Sequence, residues 1–176
     1  DDYDENQAYP LLFAFHGLGG SGALARSYFG LKADAHKEAI VVYPDALPLD
    51  SFGGAPGWDL GENGYDLDFF DATYTHLTDS LCVDETRVFS TGHSFGGYFS
   101  NVLGCYRSDV LSGIAPVAGG LGFWGSCDEQ VAVWITHGNS DGTVPFSEGT
   151  NTRNHWTDHN ECSDTTTDFS DDCVAY

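Results

Sequence analysis

Three short stretches of this 176-residue chain carry residue types from which acyl-transfer chemistry is built. The first is Gly92-His93-Ser94-Phe95-Gly96-Gly97, which follows the strand-like run 87–91 and opens a helical stretch. A Gly-x-Ser-x-Gly segment between a strand and a helix is the setting of a nucleophile elbow. The spacing has a steric reason. A serine on so tight a turn needs unusual backbone angles, and the positions two before and two after it must be nearly free of side chain. The hydroxyl then stands exposed, and the helix N-terminus beneath it favours developing negative charge. The same residues could instead form a plain glycine-rich turn with an N-capping serine. Motif and context together favour Ser94 as a nucleophile.

The second stretch, His16-Gly17-Leu18-Gly19-Gly20, ends the first apolar run. A tetrahedral oxyanion needs two backbone N–H donors aimed at it. The residue after the nucleophile, Phe95, supplies one, and Leu18 is the candidate for the other. The third stretch is His137-Gly138-Asn139-Ser140-Asp141-Gly142. Asp141 follows the serine in the order such hydrolases use, where an acid orients a histidine and stabilises its cation. Asp-Gly is also a common turn dipeptide, so a structural role competes there.

These residues need a scaffold that brings three loops to one edge. Stretches 11–16, 40–43, 86–91, 113–117 and 131–136 are nearly continuous apolar runs, the pattern of strands covered on both faces. Helical spacing fills 21–39, 66–80, 95–106 and 147–160. Alternating strand and helix predicts a mainly parallel α/β sheet, in which ligands bind at the carboxyl ends of the strands. No internal repeat or Pro/Gly/Ser-rich linker divides residues 1–176, so one domain is expected. The polar, acidic stretch 162–172 is expected to be a surface loop.

Six Lys and Arg against 27 Asp and Glu give a formal charge of -21. Such a surface repels phosphate and anionic lipid, which argues against nucleic acid and membrane as partners. No apolar run reaches the length of a membrane span. The five cysteines, Cys82, Cys105, Cys127, Cys162 and Cys173, form no CxxC pair. Disulfides in an oxidising compartment fit them better, with Cys162 and Cys173 as one candidate pair. Their odd number means a free thiol or a partner elsewhere. Asp66, Asp68 and Asp71 fail the calcium-loop template because Phe69 and Phe70 intervene, and they fit an acidic helix start. His155 and His159 share a helix face near Cys162 but lack the glutamate of HExxH. No metal or cofactor is called for, and His16 and His93 read as supports for their loops.

The chain resembles the secreted esterase family that includes polyhydroxybutyrate depolymerases, feruloyl esterases and acetylxylan esterases. The likeness rests on Tyr9-Pro10-Leu11-Leu12-Phe13-Ala14-Phe15-His16-Gly17, Tyr43-Pro44-Asp45-Ala46, Gly57-Trp58-Asp59 and Asp66-Leu67-Asp68-Phe69-Phe70-Asp71-Ala72. It continues through Cys82-Val83-Asp84, the Ser94 stretch, Ala115-Pro116-Val117-Ala118-Gly119, and Thr136-His137-Gly138 to Val144-Pro145-Phe146. The resemblance implies an α/β-hydrolase fold and hydrolysis of carboxylic esters through an acyl-serine. Ser94 would be nucleophile and Asp141 triad acid, with Trp58 near an acyl or aromatic pocket, although a core role would suit Trp58 equally. The ester would be small or polymeric, a polyester or a feruloyl or acetyl ester of plant polysaccharide. It also implies a triad histidine after one further strand, and the sequence reads as a family member lacking its first strands and that last strand. His155 or His159 in its place, or a catalytically inactive ligand-binding module, are the alternatives.

The acidic excess yields a first prediction. If salt screens self-repulsion, the thermal midpoint rises between low salt and about 1 M NaCl, where the Debye length falls to roughly 3 Å. Such an acidic excess suits a saline habitat, and a midpoint that falls over that range would remove that expectation.

Overall fold

A computed structural model describes residues 3–31, 38–123, 125–163, 165–170 and 173–175. Its centre is a five-stranded sheet in the order β2-β1-β5-β6-β7, with every neighbouring pair parallel. The strands are β1 (Tyr9–Phe15), β2 (Ile40–Val42), β5 (Val83–His93), β6 (Gly113–Val117) and β7 (Ala132–Val133). A small antiparallel pair, β3 (Pro48–Leu49) and β4 (Ala55–Pro56), brackets a 3-10 turn at Asp50–Phe52. Four helices are described: α1 (Gly22–Phe29), α2 (Tyr65–Ser80), α3 (Phe95–Tyr106) and α4 (Phe146–His159).

The strand order fixes where a site can form. From β1 the chain moves outward to β2, whereas from β5, on the other side of β1, it moves the opposite way to β6. Connections that diverge from adjacent parallel strands leave a crevice at their carboxyl ends. The register pairs Phe15 with Gly92, so the loops beginning at His16 and His93 emerge side by side.

Helix α3 is the hub of the core. Nearly all of it is buried against β1, β5 and β6. Phe99, Val102 and Leu103 join Leu11, Phe13, Phe15, Phe70 and Trp156 in one apolar cluster. Polar atoms buried there are matched: Ser90 and Ser100 hydroxyls lie 2.7 Å apart, and Asn101 accepts from the Trp156 indole at 2.8 Å while donating to Gly120 O at 2.8 Å. Asp71 takes a bidentate grip from Arg107 at 2.7 and 2.8 Å, tying α2 to the end of α3. Asp66 and Asp68 occupy the first turn of α2, as expected of an acidic helix start.

Several elements differ from the sequence reading. The helix expected over 21–39 is capped by Ser21, which accepts from Leu24 N at 3.2 Å, and ends at Gly30 in the left-handed region. Residues 32–37 of that stretch lie outside the described ones. Strand β7 is shorter than 131–136. Pro116 opposite it has no N–H to give, so the ladder is interrupted there. It resumes as an isolated bridge of Val117 with Thr136, where Thr136 N donates to Pro116 O at 3.1 Å and Ala118 N to Thr136 O at 2.8 Å. The tail is not a plain loop, because β8 (Thr167–Ser170) pairs antiparallel with β9 (Cys173–Ala175). Its threonine run 165–167 favours strand, which the polar composition concealed. Cys105 and Cys127 form a disulfide, and Cys82 and Cys162 are free. The side chain of Cys173, the other half of the expected pair with Cys162, lies outside the described residues. Among the described residues no helix is long and apolar enough to cross a membrane.

The disulfide joins residues 22 apart, clamping the end of α3 to the stretch before β7. Replacing both cysteines by alanine should lower the unfolding free energy by about 3 kcal/mol on the chain-entropy estimate. Urea melts of the two proteins check this, and coincident midpoints would show the bond to be stabilising nothing.

Candidate active site

Ser94 sits where β5 turns into α3, with φ 55° and ψ -119°, a conformation few non-glycine residues adopt. Its surroundings hold it there. Its N–H donates to Val117 O at 2.9 Å, and its carbonyl accepts from Gly97 N at 2.8 Å and Tyr98 N at 3.1 Å. A Cβ on Gly92 would collide with Gly96 O, and one on Gly96 with Phe15 O. The Gly-x-Ser-x-Gly spacing is therefore a packing requirement of three backbone segments pressed together. The side chain of Ser94 is partly exposed, and among the described residues nothing is hydrogen-bonded to its hydroxyl.

The loop after β1 runs alongside. His16 is fully buried beneath it. Ala46 N must donate to His16 Nε2 at 3.1 Å, which places the proton on Nδ1, donating to Gly17 O at 2.7 Å. That neutral ring is a strut for the loop. Gly17 lies against the elbow: a Cβ there would stand 3.3 Å from Ser94 Cβ and 3.8 Å from His93 Nδ1. Gly19 N donates to Pro56 O at 2.7 Å and Gly20 N to Gly17 O at 2.9 Å, whereas no backbone partner is found for Leu18 N or Phe95 N among the described residues. Both amides belong to segments that flank Ser94.

Asp141 lies in the loop beyond β7. Its Oδ1 accepts from Thr143 N at 2.8 Å and Val144 N at 3.0 Å, the turn role considered for it. Those amides hold its carboxyl below the usual range, with smaller help from His137 and His93. Among the described residues Oδ2 has no hydrogen-bond partner, and His137 Nε2 stands 3.9 Å from it. His137 is itself committed. Its Nε2 lies 2.9 Å from Val144 O, its side chain is 2% exposed, and Gly149 packs directly against its ring. Sequence reading passed over His137, although its place in the Thr136–Asp141 stretch was visible. It braces the loop that carries Asp141.

The remaining candidates sort clearly. Trp58 is 1% exposed, stacked on Phe99, edge-on to Phe15, and donates its indole N–H to His16 O at 2.8 Å. It is a core residue under the loop, and it presents no face to a ligand. His93 is exposed beside Tyr28, 5.9 Å ring to ring, so it supports the loop less than His16 does. His155 faces the disulfide at Cys127 and the Phe123 ring, while His159 lies 3.0 Å from Glu129 O. Their described contacts lead away from Ser94. No cluster of His, Cys, Asp and Glu suited to a metal occurs among the described residues.

No family model matches the chain. Feruloyl esterase D of Neurospora crassa is 34% identical over 92% of this chain and 58% of its own length. Feruloyl esterase C of Emericella nidulans is 32% identical over 94% of this chain and 61% of its own. The chain thus spans about three-fifths of the length of the curated relatives it matches. Among solved structures, the acetyl xylan esterase from Aspergillus awamori superposes with a TM-score of 0.75 at 15% identity, covering 95% of this chain and 76% of that one. Esterase PE8 gives 0.71 at 17%, covering 89% and 80%. Those structural likenesses carry the fold, and the two fungal relatives carry the sequence kinship. Taken together they show that the chain has the α/β-hydrolase fold and is similar in sequence to fungal feruloyl esterases.

Proposed function

We propose that this chain holds the nucleophile, oxyanion donors and acid of a serine carboxylic-ester hydrolase. The observation that carries the reading is Ser94: a strained, outward serine at the switch point, between two segments whose Leu18 and Phe95 amides have no other backbone partner. In the reaction, Ser94 Oγ bonds to the ester carbonyl carbon while a base takes its proton. The carbonyl oxygen becomes an oxyanion that accepts from Leu18 N–H and Phe95 N–H. Collapse breaks the bond to the alcohol, which leaves with the proton returned by the base. Water repeats the sequence on the acyl-serine and frees the acid.

The base is a histidine docked on Asp141 Oδ2, the carboxylate oxygen that the loop amides leave open. His137, already bonded at Val144 O, is unsuited to it. The substrate is an ester of plant-wall polysaccharide, feruloyl or acetyl, in keeping with the names of the relatives. A polyester finds no parallel among them. An extracellular location agrees with the Cys105–Cys127 disulfide and the acidic surface.

The test is hydrolysis of p-nitrophenyl acetate together with fluorophosphonate labelling and the intact mass of the purified protein. Ser94→Ala should abolish both turnover and labelling, and Asp141→Asn should cut turnover by about 10⁴-fold. Labelling that persists in Ser94→Ala would sink the assignment. The pH profile adds a further expectation. Asp141 has a depressed pKa, so it stays ionised wherever a histidine titrates. The acidic limb of kcat/KM should therefore fall through a single group near ~6.5, and a limb set by a carboxylate would overturn the role given to Asp141.

A further inference from the structure

The aromatic residue that best fits the acyl side of the site is not the tryptophan that the sequence offers. Phe52 closes the 3-10 turn at the tip of the β3–β4 hairpin and is 46% exposed. Its ring meets Phe95 edge-on, centroids 5.2 Å apart, and Phe95 is the residue after Ser94. Leu18, 42% exposed, comes in from the other flank of the elbow. A Cβ on Gly57 would stand 2.8 Å from Leu49 Cδ1, 2.9 Å from Leu18 Cδ1 and 3.0 Å from Phe95 Cε1, so these side chains converge on one point. Single exposed apolar residues are ordinary on a surface. Here they form a continuous shelf whose inner members are the two residues assigned as oxyanion donors.

The shelf is also held in register. Gly19 N, in the loop that offers Leu18 N, donates to Pro56 O at 2.7 Å, and Gly57 N donates to Leu47 O at 3.0 Å. Gly54 N closes the turn on Leu49 O at 2.9 Å. Backbone bonds thereby link the position of Phe52 to that of the oxyanion loop. A ligand held at Ser94 would lie beside a surface that already contains one aromatic pair. Aromatic rings prefer offset or edge-to-face partners and gain from them beyond simple burial. Asp50, in the same turn, and the charge of -21 make the shelf a poor host for an anion. A neutral ester fits it.

We propose that Phe52 is a specificity-determining residue, forming with Phe95 and Leu18 the wall on which the aromatic ring of a neutral aryl-propanoate-type ester lies. The proposal rests on Ser94 and its flanking amides as the reacting site. Its test is chosen to be independent of turnover. In a Ser94→Ala background, dissociation constants are measured by calorimetry for methyl 3-phenylpropanoate and for its ring-saturated counterpart, methyl 3-cyclohexylpropanoate. The two have similar shape and apolar area and differ in aromaticity.

The expected result is a preference for the aromatic ester of roughly fivefold. Phe52→Ala and Phe52→Leu should erase it, and Phe52→Tyr should keep it. The leucine variant retains apolar bulk, so a loss there reports the ring and not a collapsed hairpin. Equal affinities in the parent, a preference that survives Phe52→Leu, or a loss shared equally by both esters would each overturn the proposal. Absence of Ser94-dependent hydrolysis in the unsubstituted chain would instead count against the nucleophile reading, with the ring preference still measurable.

Discussion

The close approach of three backbone segments at the elbow is the constraint on which the rest of this structure depends. The end of β1, the end of β5 and the start of α3 come so near that Gly92 and Gly96 leave no room for a Cβ. Packed that tightly, the chain has only one way to turn, and Ser94 is forced to a positive φ. Strain of this kind costs on the order of 1–3 kcal/mol and persists only when the surroundings over-determine it. Here they do. The Val117 carbonyl fixes the Ser94 amide, α3 fixes the carbonyl, and that helix, buried along most of its length, cannot shift without disturbing the core. The energetic source of the serine's exposure is therefore the apolar cluster around Phe15, Phe99 and Trp58, several residues removed from it.

The same constraint explains why buried polar groups gather under the site. Bringing strand ends together leaves loop carbonyls and amides without ladder partners, and an unpaired buried group costs about 1–3 kcal/mol. His16 meets two such needs, at Ala46 N and Gly17 O, and Trp58 meets a third at His16 O. Neither ring could be replaced by an apolar residue of equal size without orphaning backbone. Their apparent aptitude for chemistry is thus structural: this histidine and tryptophan complete hydrogen bonding below the Ser94 turn.

What could be read from sequence follows from range. The elbow is legible in Gly92-x-Ser94-x-Gly96 because the residue types its turn requires are adjacent in sequence, although Phe15 and Val117 complete its packing from afar. Helix α3 and β6 match their expected spans because their patterns are unbroken. Burial of Trp58 is set by Phe15 and Phe99, far from it along the chain, so its residue type could not tell a pocket wall from a core ring. The β3–β4 hairpin was missed for a different reason. Its strands are two residues each, every one containing a proline, with no alternation to detect. Phe52 was hidden with it. At Asp141 the turn role is met by Oδ1, and the same turn leaves Oδ2 without an amide partner.

An acid can serve a histidine without accepting its proton when its own charge is held in place. A carboxylate bonded to two backbone amides is stabilised as the anion, and here the Thr143 and Val144 amides do this while the side chain keeps some contact with solvent. The amides also lock its orientation, which a carboxylate on a free side chain would spend entropy to hold. His137 then fixes the loop as a whole by binding Val144 O, so the turn and its brace share one residue. A group built this way is a fixed negative charge. It can orient and stabilise a cation on the proposed reading, and its depressed pKa keeps it from becoming the proton's destination, so the proton is left to the histidine and the serine.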